Sequence, residues 1–303
     1  MSSIAARTGP RLRTARQRQN LAAYILVTPF FVCFIAMLLV PLLYSGYLSL
    51  FQTRLIGGET FSGLTNFLLV FQDPKFWSGL GRMGLFLVVQ VPIMLGLALA
   101  FALAIDSGKA RGQGAIRLLI FVPYAVPGAV ATLMWGYLYG NDFGLIAQIL
   151  RALSIVPPDL LAPGNILGSM MNIVAWEFVG YNMIIMYAAL RSIPEELYEA
   201  AAIDGAGPFR IAWSIKIPAI RPAILLTVIF SIIGSFQLFA EPNLLRTIAP
   251  NAIDSAYTPN LYAYTLAFVN QNVNYAAAVA FVLGAVIAVV AFIVQKTTKT
   301  REG

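Results

Sequence analysis

Glu177 and Tyr181 lie four residues apart inside an unbroken apolar run, so a helix there sets a carboxyl group and a phenol ring on one face, with Asn182 beside them. Gly234, Gln237 and Glu241 repeat the arrangement further along, at spacings of three and four. Polar groups in apolar helices of this kind are costly in a bilayer, roughly 2.5–3.5 kcal/mol for a charge at mid-helix on insertion scales, and usually face a bundle interior or a cavity. Together they offer hydrogen bonds and a ring face to a polar solute. Bond-making chemistry is not indicated: the chain has no histidine and a single cysteine, Cys33, which leaves no imidazole base for its serines and no soft metal set. No Gly-x-x-x-x-Gly-Lys-Ser/Thr run is present to cradle a nucleotide, and Gly108-Lys109-Ala-Arg111-Gly112 lacks that spacing. A structural role competes for the same residues. Glu177 could bond Asn172, or Gln90 on a neighbouring helix, and Asn182 and Gln237 could hold helices together.

The elements that must carry these side chains are membrane helices. Apolar residues make up 59% of the chain and charged ones 11%, with mean hydropathy +0.78, against about 45–50% and 25% in soluble domains. Six runs are long enough to cross about 30 Å of hydrocarbon: residues 24–50, 83–105, 118–139, 166–190, 223–240 and 275–294. They are continuous, without the alternation of a membrane barrel, which predicts an all-α polytopic bundle of six transmembrane helices. The segment 261–274 turns from aromatic to polar and reads either as an extension of the last span or as an interfacial piece.

Arg7, Arg11, Arg13, Arg16 and Arg18 precede the first run, which has no short hydrophobic core ending in a cleavage site and reads as a retained span. Of the 20 basic residues, Arg54, Lys75, Arg82, Arg151 and Arg246 fall on one side of the six-span arrangement and the other 15 on the opposite side. The positive-inside rule therefore puts both termini and the 191–221 loop in the cytoplasm. The organisation expected is a basic tail over 1–20, a transmembrane domain over 21–295 and a cytoplasmic tail over 296–303. The net charge of +7 is a topology determinant rather than a nucleic-acid signal, because no aromatic platform interleaves it.

The loop itself carries a soluble-looking pattern. Ser192 and Glu195 have capping-box spacing with Pro194 in the first turn, which predicts a helix start. Alanines 200, 201 and 202 continue it, Gly205 breaks it, and a second short helix runs from Pro208 toward Ile215 before Pro218 and Pro222 close the segment. The expected product is a helix-turn-helix protrusion with small residues at its tip. Glu195, Glu196, Glu199 and Asp204 either pair with basic groups on a partner or form a solvated face.

Glu199-Ala200-Ala201, three residues, Gly205, nine residues, Ile215, one residue, Ile217 and Pro218 resemble the coupling loop of membrane subunits of ATP-binding-cassette importers, with Ile217 where Leu is usual. The resemblance extends to maltose-type carbohydrate permeases through Gly63-Leu-Thr-Asn66-Phe67, Val122-Pro123-Tyr124-Ala-Val-Pro127-Gly128, Trp135-Gly-Tyr-Leu-Tyr-Gly140, Trp176-Glu-Phe-Val-Gly180-Tyr181-Asn182-Met and Phe236-Gln237-Leu-Phe239. Glu241-Pro-Asn-Leu-Leu and Tyr257-Thr-Pro-Asn260-Leu-Tyr-Ala-Tyr264 look like the disaccharide, lactose-type branch. It departs from the maltose permease in its short link between spans one and two.

That resemblance implies a type I importer permease in a bacterial inner membrane. Its implied partners are a second homologous permease subunit, two cytoplasmic ATP-binding-cassette ATPases and an extracytoplasmic sugar-binding protein, with a sugar as cargo. It implies ATPase contact at Glu199, Ala200, Ala201, Asp204 and Gly205, with Ile215 and Pro218 shaping the return. It implies no cofactor and no catalysis in this chain. Glu177, Tyr181, Asn182, Gln237 and Glu241 are then the substrate-pathway candidates. Tyr124, Trp135, Tyr137 and Tyr139 read as an interfacial belt and packing. Glycerol-3-phosphate or another small solute remains an alternative cargo, though an anion would favour basic residues in the spans, where only Arg82 stands, near one end. A proton- or sodium-coupled transporter using Glu177 is a further alternative, but it would need no docking loop.

Overall fold

The computed structural model describes residues 11–54, 58–108 and 112–299. Arg7, Lys109, Arg111 and Arg301, counted above for topology, lie outside them. Among the described residues five helices are long and apolar enough to span: Tyr24–Ser49, Pro74–Asp106, Ile166–Leu190, Arg221–Leu245 and Val273–Lys296. The sixth is a broken pair, Gln113–Ala125 and Gly128–Tyr139, bent by 95°.

The expectation of one continuous run over 118–139 is corrected by that break, whose cause lies in the sequence. Pro127 disfavours helical backbone in the residue before it, and Val126 is extended at φ −78°, ψ 128° after a 3-10 turn over Val122–Ala125. Other prolines act more gently. Pro41 and Pro218 lack an N–H to donate, and five-residue π turns, Ile35–Leu39 and Ala212–Lys216, sit just ahead of them.

Spans two and four form the packed heart of the bundle. Met83, Phe86, Met170 and Ile173 are fully buried in one cluster, and Met94, Ala98, Met183, Met186 and Leu190 form a second toward the 191–221 loop. Gly180 allows the fourth span to meet the broken third: a β-carbon there would stand 2.0 Å from the carbonyl oxygen of Ile120. A short antiparallel hairpin, Phe51–Arg54 with Gly58–Phe61, follows the first span in the register Phe51 to Phe61. Nothing in the apolar pattern announces it.

The hairpin end of the bundle is densely tied. Asn66, buried at 2% exposure, donates to the carbonyls of Ser49 and Phe51 at 2.8 and 2.7 Å. Asn274 donates to the Leu48 carbonyl and accepts from Thr53. The segment 261–274 resolves into a helix Pro259–Tyr264, a π turn Thr265–Val269 and then the last span, so it is a short helical element rather than part of that span.

Candidate functional site

A cavity of about 270 Å³ opens between spans two, four and five. Tyr181, Asn182, Gly234, Gln237 and Glu241 line it, so the span-five stripe and part of the span-four stripe meet at one space. The volume lies just below the range of small-ligand pockets, about 300–1,000 Å³. Span two adds Phe86, Gln90 and Met94, and span five adds Ser231 and Ser235. The sequence reading has Gln90 only as a structural partner and does not single out the two serines, since a hydroxyl in an apolar helix usually bonds its own backbone. That is what Ser235 does, donating to the Ser231 carbonyl at 2.7 Å.

Local chemistry sets the geometry of each group. Span five loses its helix at Gln237, which would orphan the last carbonyls. Asn260 donates to the Phe236 carbonyl at 2.8 Å, and Thr258 donates to that of Leu238 at 3.1 Å while its oxygen caps the N–H of Leu261. The Thr-Pro-Asn segment thus props open the turn that presents Gln237. Tyr181 is fixed by stacking on Tyr124, centroids 4.7 Å apart and planes within 20°. Asn182 donates to the Phe178 carbonyl at 2.9 Å.

Glu177 is not among the lining residues. It is 7% exposed and turns toward Gly128, where a β-carbon would come within 3.2 Å of its Oε1. The hydrogen-bond partners considered for it are engaged elsewhere, a correction to that reading. Asn172 donates to Tyr139 Oη at 2.7 Å, and Gln90 donates to Met94 Sδ at 3.2 Å. Gly128 opens the half-helix Gly128–Tyr139, so this carboxyl group meets the positive end of a helix. Tyr139 packs inside the bundle at 5% exposure and donates to the Ser169 carbonyl at 3.2 Å, whereas Tyr124 stays 39% exposed beside Phe178.

The loop forms two helical pieces, Glu196–Ile203 and Pro208–Ile211, the second running on through Ala212–Lys216 to Ile217–Ala219. Gly205 at φ +79° closes the first. Ala206 N–H returns to the Ala201 carbonyl and Gly205 N–H to that of Ala202, which is a Schellman closure. The expected capping box is corrected: Ser192 Oγ donates to the Ala189 carbonyl at 2.7 Å, and Glu195, at the N-cap position, makes no side-chain cap. Being already spent on the preceding helix, the hydroxyl cannot serve the next one.

Glu199, Ala200, Asp204, Gly205 and Pro218 are exposed, and Ala201 and Ile215 are half-buried. Glu195 pairs with Arg191 at 3.9 Å. Large apolar groups surround the small-residue tip, with Ile203 86% and Phe209 82% exposed and Phe209 stacked on Trp213. Pattern reading missed these, because an apolar residue in so apolar a chain carries no signal. Beneath the loop, Lys216 pairs with Asp106 and lies 4.6 Å over the ring of Tyr198. Burial first, and then the nearby Asp106 charge, push the Tyr198 hydroxyl above its ordinary pKa.

At the far end, Asp73 accepts from Tyr262 Oη at 2.6 Å, Tyr275 Oη at 2.8 Å and the Lys75 N–H at 2.9 Å. Burial alone would raise its pKa, but these hydrogen bonds outweigh burial and hold it below the usual carboxylate value. Among the described residues no cluster of His, Cys, Asp or Glu is arranged to hold a metal ion.

Residues 93–300 match the family described as the binding-protein-dependent transport system inner membrane component. The lactose transport system permease protein LacF of Rhizobium radiobacter is 33% identical over 274 residues, covering 89% of this chain and 91% of that protein. The sn-glycerol-3-phosphate transport system permease protein UgpA of Agrobacterium fabrum is 30% identical over 272 residues, covering 89% and 92%. Among solved structures, a chain of the bacterial alginate ABC transporter, crystallised with an alginate pentasaccharide-bound periplasmic protein, superposes with a TM-score of 0.80 at 19% identity, over 93% of this chain and 96% of that one.

Proposed function

The chain belongs to the binding-protein-dependent transport system inner membrane component family, and from that premise we propose that it forms half of the translocation pathway of an ATP-driven importer for a neutral di- or oligosaccharide. The observation that carries the cargo reading is the cavity lining: a carboxyl group, three primary amides, hydroxyls and aromatic rings, with no Lys or Arg among them. Hydroxyl-rich neutral solutes satisfy such groups, whereas a phosphate would meet Glu241 with no compensating cation.

In this reading the protein is a permease subunit and not an enzyme, and hydrolysis belongs to two cytoplasmic ATPases that dock on the exposed tip of the loop around residues 199–205. A second, similar permease subunit completes the cavity, and an extracytoplasmic binding protein delivers the sugar from the hairpin side. ATP binding closes the ATPases, displaces the loop and turns the cavity outward; hydrolysis and release of products return it inward. Both termini are then cytoplasmic, on the side of the loop. The exposed Ile203, Phe209 and Trp213 support this, because a membrane protein gains nothing by holding aromatic groups out in water unless a partner covers them.

A glycerol-3-phosphate cargo has in its favour the likeness to UgpA, but it lacks a cation in the cavity. The test is uptake by the reconstituted assembly carrying Gln237→Ala or Glu241→Gln. Neutral-sugar uptake should show a KM raised about tenfold, the loss of roughly one hydrogen bond to a bound polar group. Unchanged sugar KM in both variants would remove the cavity from the pathway. Saturable uptake of glycerol-3-phosphate in place of sugar would transfer the cargo to the second reading.

A further inference from the structure

Lys216 ends the π turn Ala212–Lys216, and its ammonium group meets the carboxylate of Asp106, the last residue of the helix Pro74–Asp106. The side chains are 13% and 4% exposed, so this is a buried ion pair, in which either charge left alone would be strongly disfavoured. Asp106 is also poorly placed on its own helix, since a carboxylate at a helix C-terminus faces the negative end of the dipole. Lys216 is what offsets both costs. The same ammonium group covers the ring of Tyr198 at 4.6 Å, in the helix Glu196–Ile203. It acts on the ring face, because the Tyr198 hydroxyl is buried without a partner.

One side chain therefore touches the first loop helix through a ring, belongs to the second, and grips the second span. The ion pair between Arg191 and Glu195 cannot do the same work, since its side chains are 58% and 78% exposed and such pairs contribute little. The second span, in turn, carries Phe86, Gln90 and Met94, three walls of the cavity. The helix runs unbroken from Gln90 to Asp106, with Pro92 near its Gln90 end, and at about 1.5 Å per residue it spans about 24 Å between the two.

We propose that Lys216 is a positioning residue that, through Asp106, carries displacement of the 196–219 loop into the second span and so moves the cavity wall. This rests on the coupling role proposed for the loop.

The test uses the complete assembly, with its second permease subunit, ATPases and binding protein, in proteoliposomes, with lactose, maltose and trehalose as probes and sugar moved per ATP hydrolysed as the readout. Lys216→Met should keep basal hydrolysis but lose roughly tenfold in sugar per ATP, within the range of typical coupling energies. Asp106→Asn should do the same, the double variant should be no worse than either alone, and Lys216→Arg should stay within about twofold, since it keeps the pair. A purely structural role would lower yield and both activities together without changing their ratio.

Should Lys216→Met fail to assemble, a pair of cysteines at 106 and 216 in a Cys33→Ala background, joined by a short reducible cross-linker, gives an independent reading. The ratio should be low before cross-linking, recover on cross-linking and fall again on reduction. A wild-type ratio in Lys216→Met, or no recovery on cross-linking, overturns the proposal. A wild-type assembly that takes up none of the three sugars at the expense of ATP contradicts the functional reading itself, and the inference falls with it.

Discussion

At the hairpin end of the bundle Asp73 gathers Tyr262, Tyr275 and the Lys75 N–H, Asn66 ties the first span to the hairpin, and Arg82 donates to the Tyr257 carbonyl at 3.0 Å while lying 4.6 Å over its ring. At the loop end most residues of the tip face water, the first loop helix starts without a side-chain cap, and the buried ion pair of Lys216 with Asp106 fastens the element to the spans. The first end is cross-linked among four chain segments by short polar bonds; among the described residues, the second is joined to the bundle by the Lys216–Asp106 pair and by the apolar packing of Ile193 and Ile220. A region tied at many places keeps its shape when one bond is lost. A region tied at few places can move as a body, and the force it carries passes through those places.

The sharpest way to break the contrast is to damage the bundle between the two ends. Gly180→Ala puts a methyl group 2.0 Å from the Ile120 carbonyl, against backbone that cannot step aside. The expected cost is about 3 kcal/mol or more, visible as lost yield and a lowered melting temperature in detergent with both ends affected together. A variant that melts like the wild type would mean that the third and fourth spans are not packed as described.

Asp73→Ala sharpens the contrast from the tied end. Removing an ionised acceptor of two hydroxyls should destabilise by about 2 kcal/mol while leaving sugar moved per ATP unchanged in what still assembles. A fall in that ratio would show that the hairpin end also transmits motion.

The same residue predicts a pH dependence. Its folded-state pKa is depressed, so the stabilisation is complete above the ordinary carboxylate value of about 4 and is lost as pH falls through the lower folded value. Melting temperature in the acid arm should therefore fall less steeply in Asp73→Asn than in the wild type. Parallel acid arms would remove Asp73 from the account.

At the loop, Gly205→Ala forces a β-carbon into left-handed backbone at φ +79°, at a cost of about 1–2 kcal/mol confined to the tip. Global melting should hardly change while uptake drops. Phe209→Ala should be smaller still in stability, within about 0.5 kcal/mol, because the ring is exposed. Its effect should appear only in retention of the ATPases during purification.

How far the sequence could be read follows from how local each determinant is. The spans, the Gly205 reversal and the two polar stripes depend on residues a few positions apart, and periodicity carries them directly. The break in the third span was also written locally, in Val126-Pro127, but apolarity across residues 118–139 masked it, since length and composition are blind to a bend. Ser192 misled in the opposite sense: its spacing suited a cap, yet the hydroxyl satisfied the closer carbonyl behind it. The clamp of Lys216 on Asp106 joins positions 110 apart in sequence, and neither residue stands out from its neighbours. Glu177 shows the limit within the site. Helical spacing placed it on one face with Tyr181, but only the packing of the broken third span decides that its carboxyl turns to Gly128 while the phenol lines the cavity.

The central claim is tested most directly by ATP hydrolysis and sugar uptake measured together in the reconstituted assembly, with binding protein present, across a panel of neutral disaccharides, and with Gly205→Trp alongside the wild type. The account predicts that one sugar stimulates hydrolysis and is accumulated in proportion, and that Gly205→Trp assembles but shows neither response. Accumulation that follows a proton or sodium gradient, unaffected by ATP and by the Gly205 substitution, would contradict it.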